Sequence, residues 1–138
     1  MTALAGTRPI APGLFVNDDG TPRLVAGRCH DCQQPHFPEA ATCPYCGGAC
    51  EPTMVGPRGQ LRLFTVVRRA PPGYLGPVPY GFGVVALDEC GLEVISRLTE
   101  ADLTRLHPGL PMRLEIGPLY TDDDGCDVVS WAFAVHES

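Results

Sequence analysis

The chain has 138 residues, enough for one ordinary domain or two very small ones, and its formal net charge is −6. No apolar run of about 18 residues is present that could cross a membrane, and the odd number of cysteines argues against a secreted disulfide framework. We therefore expect a soluble cytoplasmic protein with no membrane partner. The acidic balance makes nucleic-acid binding unlikely, because that binding needs many cations to neutralise phosphates.

The first predicted element is a β-hairpin. Residues 14–16 and 23–26 are rich in aliphatic and aromatic side chains, and they flank the turn-forming sequence NDDG at residues 17–20. The second strand of this hairpin leads directly into the first cysteine pair.

Four cysteines form the most specific motif of the chain. Cys29 and Cys32 make one C-x2-C pair, and Cys43 and Cys46 make a second pair after ten intervening residues. Each short turn aims two sulfurs at a common point, so the four thiolates can close a tetrahedral shell around one Zn²⁺. The motif predicts a zinc ribbon whose folding free energy comes from the metal, because the segment is too short to bury a core of its own.

Other uses of these cysteines have less support. A rubredoxin-like iron site also takes four thiolates, but nothing else in the sequence suggests electron transfer. A catalytic zinc keeps one position open for water, whereas four cysteines fill all positions, which favours a structural metal. His30 and His36 are close enough in sequence to replace a cysteine, but we expect them at the surface or behind the ligands.

After a connector at residues 51–57, the pattern changes to alternating strands. The predicted strands are residues 60–69, 80–87, 92–98, 112–116 and 127–135. On the second of these strands, alternation places Tyr80, Phe82, Val84 and Ala86 on one face.

A short helix is predicted between the third and fourth of these strands. Thr99 is the expected N-cap, acidic residues follow it, and Leu103 and Leu106 have helical spacing before Pro108 and Gly109 end the helix. Three strands, a helix and two strands is the order of a five-stranded OB-fold barrel, although periodicity alone leaves an SH3-like barrel open. The sequence thus predicts a mainly β protein, with the hairpin and zinc ribbon in residues 1–57 and an OB-fold domain in residues 58–138.

Four segments together carry a family resemblance: LVAGRCHDCQQPHFPEAATCPYCGG, GQLRLFTVVRRAPPGY, VPYGFGVVALDE and LHPGLPMRLEI. They resemble the bacterial and archaeal family of rubredoxin-type zinc ribbons fused to an OB-fold, long catalogued as a domain of unknown function. The resemblance covers the chain from about residue 13 onward. It implies an acyl-CoA-handling accessory subunit in a hetero-oligomer with a thiolase, a thiolase-like aldolase or an enoyl-CoA hydratase.

The chain itself lacks a recognisable catalytic signature. Cys50, Cys90 and Cys126 lie outside the ribbon, and none of them stands in a local nucleophile motif with His107 or His136. Carboxylates next to Cys90 and Cys126 should raise the pKa of both thiols and weaken them as nucleophiles. We therefore expect no catalytic residue, and we expect the partner to supply the chemistry.

Arginines suggest where a CoA thioester would contact the chain. Arg58, Arg68 and Arg69 fall near the first barrel strand, and they are the predicted contacts to CoA phosphates. The proline- and glycine-rich loop at residues 70–80 follows them and is a predicted docking or gating element, although it could equally be a stiff connector between two strands.

Two hypotheses from other classes remain open. OB-folds and zinc ribbons both occur in single-strand nucleic-acid binders, but the acidic charge and the sparse basic-aromatic spacing oppose that use. The other hypothesis is a metal-stabilised scaffold that binds no ligand. The leading prediction is a non-catalytic zinc-binding subunit of a thiolase-type complex acting on (β-keto)acyl-CoA.

Overall fold

The structure, a computed structural model, describes residues 6–136 and is built almost entirely of β-strands. Ten strands and one 3₁₀ turn occur in these residues. The strands are β1 Thr7–Pro9, β2 Phe15–Asp18, β3 Thr21–Cys29, β4 Pro35–His36, β5 Cys50–Val55, β6 Arg58–Val67, β7 Tyr80–Leu87, β8 Glu93–Leu98, β9 Pro111–Thr121 and β10 Asp127–Val135. Within the described range, no helix is long and apolar enough to cross a membrane.

The zinc ribbon is a small sheet centred on β3. The predicted hairpin is present: β2 and β3 pair through a turn in which Asp19 (φ 52°) and Gly20 (φ 85°) both have positive φ. Asp-Gly suits this turn because it requires φ above zero at both central positions. On its other edge β3 pairs with β5, from Leu24 opposite Val55 to Cys29 opposite Cys50.

The second sheet forms the predicted five-stranded barrel. Strands β6, β7 and β8 pair antiparallel in sequence order, and β9 pairs with both β6 and β10. A single parallel residue pair, Phe133 opposite Leu98, joins β10 to β8 and closes the ring. This strand order is that of an OB-fold, so the barrel prediction is confirmed.

The predicted helix is shorter than expected, and its N-cap was assigned wrongly. It is a 3₁₀ turn over Leu103–Arg105, with Asp102 as the N-cap and Asp102 Oδ1 accepting from Thr104 N–H at 3.0 Å. Thr99 lies four residues before the turn begins at Leu103, too far away to cap it. Its N–H donates to Phe133 O at 2.9 Å and extends the pairing between β8 and β10.

A short N-terminal strand was not predicted. β1 pairs parallel with the start of β10, with Thr7 opposite Asp127 and Pro9 opposite Val129. The salt bridge between Arg8 Nε and Asp122 Oδ2, at 2.9 Å, holds β1 beside the turn that precedes β10. Residues 7–9, which the predicted division placed with the ribbon, thus belong to the sheet of the barrel.

Ribbon and barrel share one hydrophobic core. Buried side chains from β3 and β5 pack in the same cluster as the barrel interior; they are Leu24, Ala26 and Val55 with Leu61, Val85, Leu87, Val94, Leu98, Leu106, Met112, Leu114 and Phe133. At the periphery, the Phe37 ring of the ribbon meets the Trp131 ring edge-on, with centroids 5.5 Å apart. The shared core implies that the two units stabilise each other.

Candidate metal centre

The four predicted ligands converge on one point. The Sγ atoms of Cys29, Cys32, Cys43 and Cys46 all lie within 4.8 Å of one another. Cys29 Sγ is 3.4 Å from Cys46 Sγ, and Cys32 Sγ is 3.7 Å from Cys43 Sγ. Tetrahedral Zn²⁺ with Zn–S bonds of about 2.3 Å would place its sulfurs about 3.8 Å apart, so the cluster has nearly the dimensions of a zinc site.

Two tight turns place the sulfurs and direct backbone N–H groups at them. The N–H groups of Asp31 and Cys32 donate to Cys29 Sγ at 3.3 and 3.4 Å, and the Tyr45 N–H donates to Cys43 Sγ at 3.3 Å. Such N–H···S bonds stabilise thiolate over thiol. The turn residue Gly47 has φ 80°, a conformation that glycine adopts without strain.

The thiols of the cluster perturb one another strongly. The N–H of Cys32 lowers the pKa of Cys29 to about 6. The N–H of Gly48 lowers the pKa of Cys46, but the neighbouring sulfurs outweigh it and raise that pKa to about 12. Four sulfurs this close cannot all ionise without a cation between them, and Zn²⁺ supplies that cation. Donor type, spacing and backbone hydrogen bonds therefore all fit structural zinc.

The histidines near the cluster lie outside it, as expected. The His30 side chain is exposed, and its Nδ1 is 4.0 Å from Glu51 Oε1. His36 is buried, and its Nε2 accepts from the Ala40 N–H at 3.0 Å. A Cβ at Gly27 would overlap the His36 ring. The absence of a side chain at Gly27 therefore allows this ring to pack directly against β3.

The remaining cysteines occupy three separate places. Cys50 lies on β5 beside the cluster; burial, followed by the charge of Cys29, raises the pKa of Cys50 to about 11. Its thiol donates to Gly48 O at 3.7 Å. Cys90 lies in the turn between β7 and β8, and Cys126 lies in the turn before β10. Within residues 6–136, no hydrogen bond joins any of these three thiols to a histidine.

The acidic turn before β10 has a structural role. Asp122 Oδ1 accepts from the N–H groups of Asp124 and Cys126 at 3.0 and 2.9 Å, and Asp122 Oδ2 pairs with Arg8. The hydrogen bond from Arg8, followed by the Cys126 N–H, lowers the pKa of the Asp122 carboxyl. These contacts form an Asx-type turn that also anchors β1.

The structure separates the three arginines predicted to contact CoA. Arg58 begins β6, whereas Arg68 and Arg69 follow its end, and all three side chains are exposed. Ten residues of extended strand span on the order of 30 Å. Arg68 and Arg69 are adjacent in the chain, whereas Arg58 lies too far along β6 to join them on one phosphate-sized ligand.

The proline- and glycine-rich loop folds back on the barrel. The Tyr74 ring packs against the Tyr80 ring with centroids 4.7 Å apart, and Tyr74 Oη donates to Pro77 O at 2.8 Å. At the tip, Leu75 remains exposed. The loop is thus internally braced and leaves an apolar side chain in solvent.

An open apolar groove beside this loop was not predicted from the sequence. It lies next to β8 and β10, has a volume of about 350 Å³, and is lined by Ile10, Tyr74, Tyr80, Phe82, Ile95, Ser96, Arg97, Leu119, Ser130 and Trp131. Of the four residues predicted to share one face of β7, Phe82 is exposed and Tyr80 and Val84 are half-buried, whereas Ala86 is buried with Val85 and Leu87. Alternation alone does not say which face of a strand is inside.

Two family models match this chain. Residues 20–51 match the rubredoxin-like zinc ribbon domain of ChsH2, and residues 53–117 match the C-terminal OB-fold domain of ChsH2. Together the matches cover more than two thirds of the chain. They agree with the two units that the structure shows and confirm the predicted resemblance.

Two similar proteins match most of the chain. A DUF35 domain-containing scaffold protein of Pyrococcus furiosus is 28% identical over 115 residues, which are 80% of this chain and 82% of that protein. A solved structure named Ltp2-ChsH2(DUF35) aldolase contains a chain that matches with a TM-score of 0.60 and 24% identity, over 82% of this chain and 84% of that one. The second similarity supports the fold described above.

Proposed function

We propose a function on the basis of the family: the chain belongs to the ChsH2 family, in which a zinc ribbon precedes an OB-fold domain. It is a non-catalytic, zinc-binding accessory subunit. Its partner is a thiolase-like catalytic protein that acts on a CoA thioester such as a (β-keto)acyl-CoA. The chain stabilises this partner and shapes its acyl-CoA site.

The four-thiolate cluster is the observation that carries the proposal. Cysteine fills all four positions of a tetrahedral metal, so a bound zinc has no site for water or substrate. The metal then supplies folding free energy to a ribbon whose core continues into the barrel. A subunit built in this way provides a rigid surface rather than a reaction centre.

The names of similar proteins support a partnered role. The Pyrococcus furiosus relative is named a scaffold protein, and the solved structure is named for an Ltp2 aldolase with ChsH2. An aldolase acting on a CoA thioester is therefore the closest variant of the proposed thiolase-type complex. In both variants the partner supplies the reacting groups.

Arg68 and Arg69 are the proposed contacts to CoA. They are adjacent and exposed, and they stand at the base of the braced loop that carries Leu75. Two neighbouring guanidinium groups suit a phosphate, and an apolar loop beside them suits the pantetheine arm. Arg58, at the other end of β6, provides a matched arginine outside this site.

Purification of the tagged chain from its native host tests the proposal. We expect a thiolase-like protein to be recovered in stoichiometric amount and the purified complex to turn over a CoA thioester. Arg68→Ala with Arg69→Ala should raise KM for the thioester about tenfold without dissociating the complex, whereas Arg58→Ala should leave KM unchanged. A monomer that binds single-stranded DNA at about 150 mM salt would contradict the proposal.

A further inference from the structure

The outer face of the barrel exposes a continuous apolar surface on β6, β7 and β8. Leu63 is 67% exposed, Phe82 39% and Ile95 63%. In the strand register, Leu63 lies opposite Val84, which lies opposite Ile95, so the three form a row across the sheet. A second hollow, lined by Leu63 and Phe64, also includes Phe82 and Ile95, which line the apolar groove beside β8 and β10 described above. Exposed apolar surface of this extent on a small protein is typical of a binding site.

The groove lies at the point where the barrel is least closed. Phe133 and Leu98 form the one residue pair between β10 and β8 in the described range, so these two strands do not pair with each other before it. Over Asp127–Val129, β10 pairs with β1 instead, and the opening to β8 begins at Ser130. Ile95, Ser96 and Arg97 line one side of the opening, and Ser130 and Trp131 line the other. A sheet opening between two strands can accommodate an extended segment of another protein.

Among the described residues, Arg97 is the one charged side chain that lines the groove, and no acidic side chain in that range pairs with it. Its guanidinium forms no salt bridge with any residue of the described part of the chain. Arg97 lies opposite Phe82 in the register, and Tyr74 and Tyr80 line the same groove. An arginine that has no acidic partner among residues 6–136 and lies among aromatic rings is a binding group for an anion from elsewhere.

We propose that this groove is the docking site for an extended segment of the partner protein, and that this segment presents an aspartate or glutamate to Arg97 between two apolar side chains. The inference rests on the proposed function insofar as that function requires a protein partner. It goes further by placing the contact on the outer face of the barrel and by stating the chemistry of the contacting segment.

The form of the groove favours a protein segment over a small molecule. Sites for small ligands bury most of the ligand surface, but the walls here include side chains as exposed as Ile95. Aromatic residues and arginine are the residue types enriched where protein interfaces bind most strongly. The charge complementarity at Arg97 selects an acidic segment.

Fluorescence of Trp131 provides a direct test, because this side chain lines the groove and is the sole tryptophan of the chain. The probes are two short N-acetylated, C-amidated peptides, one with a glutamate between two leucines and one with glutamine in its place. They are titrated into the zinc-loaded full chain, into Arg97→Gln and into the control Arg62→Gln. Arg62 is also an exposed arginine on the barrel, but it does not line the groove.

We expect the glutamate peptide to change Trp131 emission saturably and to bind about tenfold more tightly than the glutamine peptide. Arg97→Gln should abolish that preference, and Arg62→Gln should retain it. The proposal is overturned by equal affinities, by no saturable change, or by loss of the preference in both variants. Tighter Arg97-dependent binding of an oligothymidylate would also overturn it, as would dimerisation of the chain through this face. If the peptide titration gave a negative result, recovery of a catalytic partner from the native host would still support the proposed function. The two proposals can therefore be refuted separately.

Discussion

Replacing Leu24 with alanine should destabilise the ribbon and the barrel together. Leu24 lies in the middle of β3, is completely buried, and belongs to the core that both units share. Truncation of a fully buried leucine costs about 3 kcal/mol through lost burial and the cavity left behind. For a chain of this length that loss lowers Tm by about 10 °C.

Two reporters can follow thermal unfolding of this variant. Trp131 fluorescence reports the barrel together with the contact between Trp131 and Phe37 of the ribbon, and a zinc-sensitive dye reports release of the metal from the ribbon. In the wild-type protein we expect the two transitions to coincide, because a shared core makes unfolding cooperative. In Leu24→Ala both transitions should move by the same amount.

Val16→Ala is the matched control, since Val16 lies on the neighbouring strand β2 and its side chain is exposed. Its free energy of unfolding should change by less than about 0.5 kcal/mol. If Leu24→Ala lowered the temperature of zinc release and left the Trp131 transition in place, the two units would unfold independently. The inference from the shared core would then be wrong.

Three further changes test the metal, the barrel and the N-terminal strand. Cys46→Ser should reduce bound zinc well below one per chain and leave the ribbon prone to aggregation, whereas Cys50→Ser should keep one zinc; metal analysis after gel filtration distinguishes them. Gly81→Ala should lower the free energy of unfolding by several kcal/mol, because the added Cβ would overlap a backbone carbonyl oxygen. Gly117→Ala, whose added Cβ would have no atom within 4 Å, should leave the free energy of unfolding in urea nearly unchanged. Asp122→Asn should lower the free energy of unfolding at pH values above the ordinary carboxyl pKa of about 3.9. The wild-type protein loses the same contribution as pH falls through the lowered pKa of Asp122 in the folded state.

Each of these changes has a result that would refute its reasoning. Full zinc content in the Cys46 variant would mean that the metal does not need all four thiolates. Equal stability of the two glycine variants would contradict the close strand contact at Gly81. The difference in free energy of unfolding between wild type and Asp122→Asn should become smaller as pH is lowered. A difference that grows in acid would contradict the expected dependence of stability on pH.

Local sequence patterns were sufficient for the metal ligands and most strands. The spacing of the cysteines fixes their convergence, because each C-x2-C turn has few conformations that aim two sulfurs together. Residues 80–87 and 127–135 form strands with the predicted bounds. The order of these elements then indicated the barrel.

Features that depend on distant residues could not be read from the sequence. β1 is defined by pairing between Thr7 and Asp127, which are far apart in the chain. Thr99 is a residue type that often caps helices, but the observed turn begins at Leu103 and Asp102 is its N-cap. The groove at Arg97 depends on which face of β7 and β8 is outside, and only the closure of the barrel determines this.

Native mass spectrometry of this chain co-expressed with a thiolase-like protein encoded beside it tests the central claim most directly. We expect a hetero-oligomer that carries one zinc for each copy of this chain and that retains the metal as long as the complex is intact. Separate species with no mixed assembly, or a mixed assembly in which this chain holds no metal, would contradict it.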